Sequence, residues 1–263
     1  MAEPDHSDSR VVTFEQPLNE RIRTLMRLEH LFAQGRFAVA GETPWHSRLA
    51  VTTLAEILDI FGRGDLKTEL IKELKRVTEL LARLEERPGV DTDRLHHVMQ
   101  RCETLTERLG AHTGQLGAVL RQDDLLGNIM QRTGIAGGTC AFDLPRYHRW
   151  LCRPADARQQ DLEAWYSSID TVRDATETIL ELLRDSAVPT ECTAANGIYQ
   201  RNLDRNMAYQ LVRVDLPADS RRFPEISGTK MFVTIRFMEQ NSTVDRPGQA
   251  NEDVDFILQL CVL

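Results

Sequence analysis

The chain has 263 residues, a formal charge of −8 with its histidines neutral, and 41% apolar residues. That is enough apolar material to bury a core, and it excludes disorder over most of the length. No uncharged apolar run of about eighteen residues occurs, and the opening MAEPDHSDSR has neither the basic nor the apolar region of a secretory signal; a cytoplasmic protein without direct membrane insertion is expected.

In chain order, residues 1–10 are expected as a flexible leader and Val11 to Phe14 as a short strand. Pro17 suits the first turn of a helix whose Leu18, Ile22, Leu25, Leu28 and Phe32 follow helical spacing, with Gly35 as its stop. Residues 36–46 are expected as a loop and 47–61 as a second helix. Asp65 can cap the next helix, whose Leu70, Leu74, Val77, Leu81 and Leu84 alternate spacings of four and three; Pro88 and Gly89 end it. Asp91 or Asp93 opens a partner helix with Leu95, Val98, Cys102, Leu105 and Leu109 at the same alternation, giving an antiparallel hairpin. A single long helix is expected over about 156–186, and Gly138 to Asp143 reads as a short strand.

After Val188-Pro189 the character changes. Residues 191–200, 207–216, 231–238 and 254–263 are rich in β-branched, aromatic and alternating residues, and Asn, Asp, Gly and Pro separate them. In 230–238, Met231, Val233, Ile235 and Phe237 point one way while Lys230, Phe232, Thr234 and Arg236 point the other. The expected fold class is α+β: a mainly helical N-terminal bundle domain over 11–187, with short strands near 11–15 and 138–143, then a mainly antiparallel β-sheet domain over 188–263.

Acidity is concentrated in residues 1–10 and 239–263, whereas Arg21, Arg23, Arg27 and Arg36 outnumber Glu20 and Glu29, and Arg221, Arg222, Lys230 and Arg236 outnumber Asp219 and Glu225. Salt screens exposed charges beyond about 8–10 Å, so a ligand meets these local basic clusters and not the overall sum. On pattern alone, the favoured reading of Arg23 and Arg27 is a solvated face paired to Glu20 and Glu29.

Motifs that spell chemistry elsewhere carry none here. Arg63-Gly64-Asp65 is a turn before a helix cap, and Asn241-Ser242-Thr243 a polar loop. TGIAGG at 133–138 lacks the G-K-[ST] ending of a phosphate loop and the spacing of a dinucleotide turn. His148 and Cys152 are one helical turn apart, but no second ligand pair accompanies them. The five widely spaced cysteines form no C-x-x-C pair and read as reduced thiols. Trp45, Trp150 and Trp165 read as core or edge-of-core groups, and His96-His97 as a solvated face. No catalytic constellation, cofactor site or metal site emerges from these motifs.

FEQPLNERIRTLMRLE (14–29), GRGDLKTELIKEL (62–74), GGTCAFDLPRYHRWL (137–151), NGIYQ (196–200), FPEISGTK (223–230) and IRFM (235–238) occur in an order and at spacings that resemble the ZapD family of bacterial cell-division proteins. The resemblance implies a homodimer that binds the acidic, partly apolar C-terminal tail of FtsZ and bundles FtsZ filaments at the division site, with no cofactor, no catalysis and no nucleic acid. It implies a groove with cations at its rim, for which the candidates are Arg23, Arg27, Arg121, His148, Lys230 and Arg236. Asp124 and Phe232 stand where some relatives carry basic residues, so the cationic rim departs from the family pattern there. The alternatives are a nucleic-acid binder using the same arginines and a small-ligand protein built around Gly134 to His148.

Overall fold

Seven extended residues open the computed structural model, which describes residues 11–85, 91–229, 231–240 and 242–263. They form β1 (Val11–Pro17), which pairs antiparallel with a strand some two hundred residues later, and the expected leader 1–10 lies outside the described residues. Pro17 therefore ends a strand and does not start a helix. Instead Asn19 caps α1 (Glu20–Ala40), its Oδ1 accepting from the Ile22 amide at 2.9 Å. Nor does Gly35 stop that helix: a Cβ there would sit 2.5 Å from the Tyr166 ring, so this glycine permits close approach of another helix. The loop expected over 36–46 shrinks to the few residues before α2 (Pro44–Gly62), which Thr43 caps and Pro44 opens.

Asp65 caps α3 (Leu66–Ala82) and Asp91 caps α4 (Thr92–Ala111), each accepting from the amide three residues on. Lys67 near the start of α3 donates to the His112 carbonyl just past α4 at 2.6 Å, while Glu85 beyond α3 meets His96 near the start of α4 at 2.8 Å. These ties at opposite ends make the pair antiparallel, with Leu70, Leu74 and Val77 buried on one helix and Leu95, Cys102, Leu105 and Leu109 on the other. The expected terminators Pro88 and Gly89 lie outside the described residues.

Next come α5 (Ala118–Gln122), α6 (Asp124–Thr133) and α7 (Pro145–Leu151). Between the last two, 138–143 is not the expected strand but a chain of tight turns: the amides of Gly138, Cys140 and Asp143 each bond the carbonyl three residues back, and Gly137 takes φ +71°. The single helix expected over 156–186 is two, α8 (Ala155–Ser167) and α9 (Asp170–Asp185). The Ser167 and Ser168 hydroxyls turn back to the Glu163 and Trp165 carbonyls, and such local bonds end α8 while the apolar stripe resumes at Ile169 and Val172.

Two features bind the helical elements together. Arg158 of α8, only 4% exposed, donates to Ser47 Oγ at 2.9 Å and to the carbonyls of Leu151, Arg153 and Glu42, which ties α8 to the end of α7 and to the turn before α2. Trp165, Trp150 and Tyr147 stack at centroid separations of 5.7 and 5.8 Å, and the Arg48 guanidinium lies 5.1 Å over Tyr147 and 5.7 Å over Trp45. Trp45, in the first turn of α2, ends this stack 78% exposed, against the expectation of a core or edge-of-core position.

The strands are β2 (Thr190–Ala194), β3 (Ile198–Asn202), β4 (Tyr209–Pro217), β5 (Arg222–Gly228), β6 (Phe232–Glu239), β7 (Gly248–Gln249) and β8 (Val254–Val262). The expected strand 191–200 is broken in two, because Asn196 and Gly197 adopt φ +50° and +72° and send β2 and β3 into different sheets. One sheet has the order β1-β4-β8-β2; the other runs β3-β6-β5, with β7 beside β6. All pairings are antiparallel. Val212, Val214, Leu216 and Leu258 from the first sheet share one core with Val233, Ile235 and Phe237 from the second, so the sheets pack face to face. On the outer side of the first, Arg184 and Arg213 both hold Glu15.

The chain thus forms two compact units: the described residues up to Arg23 with Glu181–Leu263, and Thr24–Leu180. Against the expected division at 187/188, the helical unit ends at Leu180, and β1, which pairs with β4, belongs with the β-rich unit.

Candidate functional site

Arg23 and Arg27 fall one turn apart on α1. Arg23, in the β-rich unit, is 40% exposed at its side chain and reaches Glu20 Oε2 at 3.2 Å. Arg27, in the helical unit, is exposed while its neighbours Leu25 and Leu28 are buried. The local sequence explains this: apolar residues at 22, 25, 28 and 32 turn one stripe inward and leave positions 23 and 27 on an outer face.

Arg236 projects from the outer face of β6, where the inner face is the fully buried Val233, Ile235 and Phe237. The register puts it opposite Ile198 of β3 on one side and Glu225 of β5 on the other. Phe232, 46% exposed, lies on the same face, as does Ile198 at 37%. This surface therefore offers a cation beside exposed apolar side chains, with the Glu225 carboxylate at the cross-strand position. Alternation alone revealed the outward positions 232, 234 and 236; strand β5, which supplies Glu225, gave no such pattern because Pro224 and Gly228 interrupt it. Lys230 lies outside the described residues.

His148 is exposed on α7, its Nε2 3.9 Å from Cys152 Sγ. Among the described residues, no group of three or more His, Cys, Asp or Glu could hold a metal ion. Arg121 has a structural position: from α5 its guanidinium donates to the Leu58 carbonyl of α2 and so ties the two helices together. Asp124, one of the departures from the family pattern, is ion-paired to Arg146 of α7, so its carboxylate does not stand as a bare negative charge. The candidates thus divide between the units, Arg23 and Arg236 in one, Arg27, Arg121 and His148 in the other.

A family profile described as ZapD, "Cell division protein", matches residues 26–236 of the chain. The chain belongs to the ZapD family of cell division proteins. Its similarity to individual ZapD proteins extends further than that profile. It is 40% identical over 252 residues to "Cell division protein ZapD" of Methylococcus capsulatus, covering 96% of this chain and 98% of the relative. The corresponding values are 40%, 95% and 99% for the ZapD of Ralstonia pickettii, and 39%, 95% and 99% for that of Cupriavidus pinatubonensis. ZapD membership places the chain in cell division and septation. No helix among the described residues is long and apolar enough to cross a membrane.

Proposed function

We propose that this chain acts without catalysis, as a homodimer that binds the C-terminal tail of FtsZ and cross-links FtsZ filaments at the division site. The observation that carries the reading is its near full-length identity of about 40% to cell division proteins named ZapD. The exposed arginines fit an acidic, partly apolar tail. Arg27 presents a guanidinium on α1, and Arg236 presents one beside Phe232 and Ile198 on β6. Guanidinium suits such a rim because it binds carboxylates bidentately and is less strongly hydrated than ammonium. Lys230 and His148 remain candidates at that rim; Arg121 is held by the Leu58 carbonyl and contributes mainly to the fold.

Two weak sites on one dimer make a cross-link, because once one tail is held the second engagement is effectively intramolecular along a polymer of repeated tails. The test is sedimentation of FtsZ polymers with the wild-type protein and with Arg27→Glu. The reversal should abolish bundling, while circular dichroism and ultracentrifugation show a folded dimer, since an exposed reversal perturbs stability by about 0.5 kcal/mol or less. Tail-deleted FtsZ should not be bundled, and bundling should weaken as salt rises. Undiminished bundling by the folded, dimeric variant would remove Arg27 from the contact, and undiminished bundling of tail-deleted FtsZ would remove the tail.

A further inference from the structure

At the end of α7 two side chains of metal-binding type stand together. His148 and Cys152 are four residues apart, and the Cys152 amide donates to the His148 carbonyl at 3.1 Å, so the backbone keeps both side chains on one face, one turn apart. Both are exposed, whereas Tyr147, Trp150 and Leu151 are buried and turn the pair outward. His148 Nε2 lies 3.9 Å from Cys152 Sγ.

The segment that carries the pair is fixed from behind. Trp150 stacks between Tyr147 and Trp165 and donates from Nε1 to Asp161 Oδ2 at 2.8 Å. The Arg153 guanidinium meets the same carboxylate, and buried Arg158 holds the Leu151 and Arg153 carbonyls. With the backbone held on both sides, the two donors need little reordering to act on one ligand. Arg149 follows His148 in sequence and so lies about 100° round the helix from it.

Zinc bonds thiolate sulfur at about 2.3 Å and imidazole nitrogen at about 2.0–2.1 Å, which at a tetrahedral angle puts the two donor atoms roughly 3.5 Å apart. The separation seen here exceeds that by a few tenths of an ångström, within the reach of small side-chain rotations at an exposed position. Imidazole and thiolate also select zinc-like ions over magnesium and calcium, which prefer oxygen.

We propose that His148 and Cys152 chelate one soft divalent cation of the zinc class on the surface of α7. Neutral imidazole gives its Nε2 lone pair with the ring proton on Nδ1. The Cys152 S–H bond breaks, its proton passes to solvent, and the sulfur gives the electron pair to the ion. Among the described residues no third His, Cys, Asp or Glu joins them, so water takes the remaining tetrahedral positions. The site is therefore open and exchangeable, unlike a closed structural zinc centre. It does not rest on the reading of His148 as a contact for the FtsZ tail.

The test uses the full-length protein, reduced and stripped of metal, titrated with Co2+ and with Zn2+. Cobalt should give a thiolate-to-metal absorption band in the near ultraviolet, which Zn2+ removes and Cys152→Ser lacks. Zn2+ should slow iodoacetamide labelling of Cys152 by about tenfold or more, read peptide by peptide by mass spectrometry, while half-buried Cys140 in the same unit keeps its rate. His148→Ala should lose most of that protection and His148→Cys, which restores a soft donor, should regain it; Mg2+ should protect nothing. Circular dichroism should be unchanged in every variant, since both side chains are exposed. A Cys152 labelling rate that Zn2+ leaves unaltered overturns the proposal. So do equal protection in folded His148→Ala, equal protection by Mg2+, and a cobalt band of undiminished strength in Cys152→Ser.

Discussion

Three arginines that look alike in the sequence have three different physical situations. Arg27 is exposed, Arg121 reaches a carbonyl of α2, and Arg158 is buried with its guanidinium shared among three carbonyls and a serine hydroxyl. A buried cation without a carboxylate partner is tolerated only when its donors are met, and here those donors also satisfy carbonyls that end α7 and precede α2. Arg158→Met should therefore cost about 2–4 kcal/mol in urea unfolding, by orphaning several buried acceptors at once. Arg121→Met, losing the bond to the Leu58 carbonyl, should cost about 1–2 kcal/mol, clearly more than Arg27→Glu. A cost for Arg158→Met no larger than that of an exposed substitution would show that water replaces its role. Nothing in the local sequence DARQQ announces Arg158, because its partners lie up to 116 residues away. The outward set on β6 was legible, because period-two alternation needs only neighbours in sequence.

Elements whose signals are local came through. The caps Asp65 and Asp91, the seams of α3 and α4, and the inward face of β6 all rest on spacings within one or two turns. Glycine and proline were misleading where tertiary structure decided their meaning. Gly35 has the composition of a stop signal, yet it lies inside α1 because the Tyr166 ring, whose hydroxyl donates to the Ala50 carbonyl at 2.8 Å, fills the space a side chain would take. Gly35→Ala should thus destabilise by about 1–3 kcal/mol despite alanine's better helix propensity, because the ring must move and give up that bond. A neutral or raised melting temperature would mean that the ring relocates without loss. Likewise Pro17 fits a helix start equally well, and only pairing with Leu211 shows it to be the last residue of a strand.

For the molecule as a whole, composition and periodicity conveyed the α+β class, helical residues before β-rich ones. They did not convey that β1 belongs with the later strands, since pairing across some two hundred residues leaves no trace in either partner's own pattern. The helical stretch Thr24–Leu180 contains its own buried seams, the Arg158 ties and the aromatic stack. Expressed alone, it should give a helical circular dichroism spectrum and melt cooperatively; a non-cooperative melt would show that it depends on the strands.

The pairing of β1 with β4 also sets an order of events at the ribosome. At about 5–20 residues per second, β1 emerges roughly ten to forty seconds before the strand it needs, while the helices between them can already fold with near neighbours. Through that interval it is an orphaned strand with free amides and carbonyls, the kind of segment that pairs with whatever is nearby. Val11, Val12 and Phe14 supply its stickiness, whereas Thr13, Glu15 and Gln16 add polar groups that limit its appeal to other nascent chains. Slow translation should thus raise this protein's tendency to aggregate through its first strand, and overabundant chaperone should lower it.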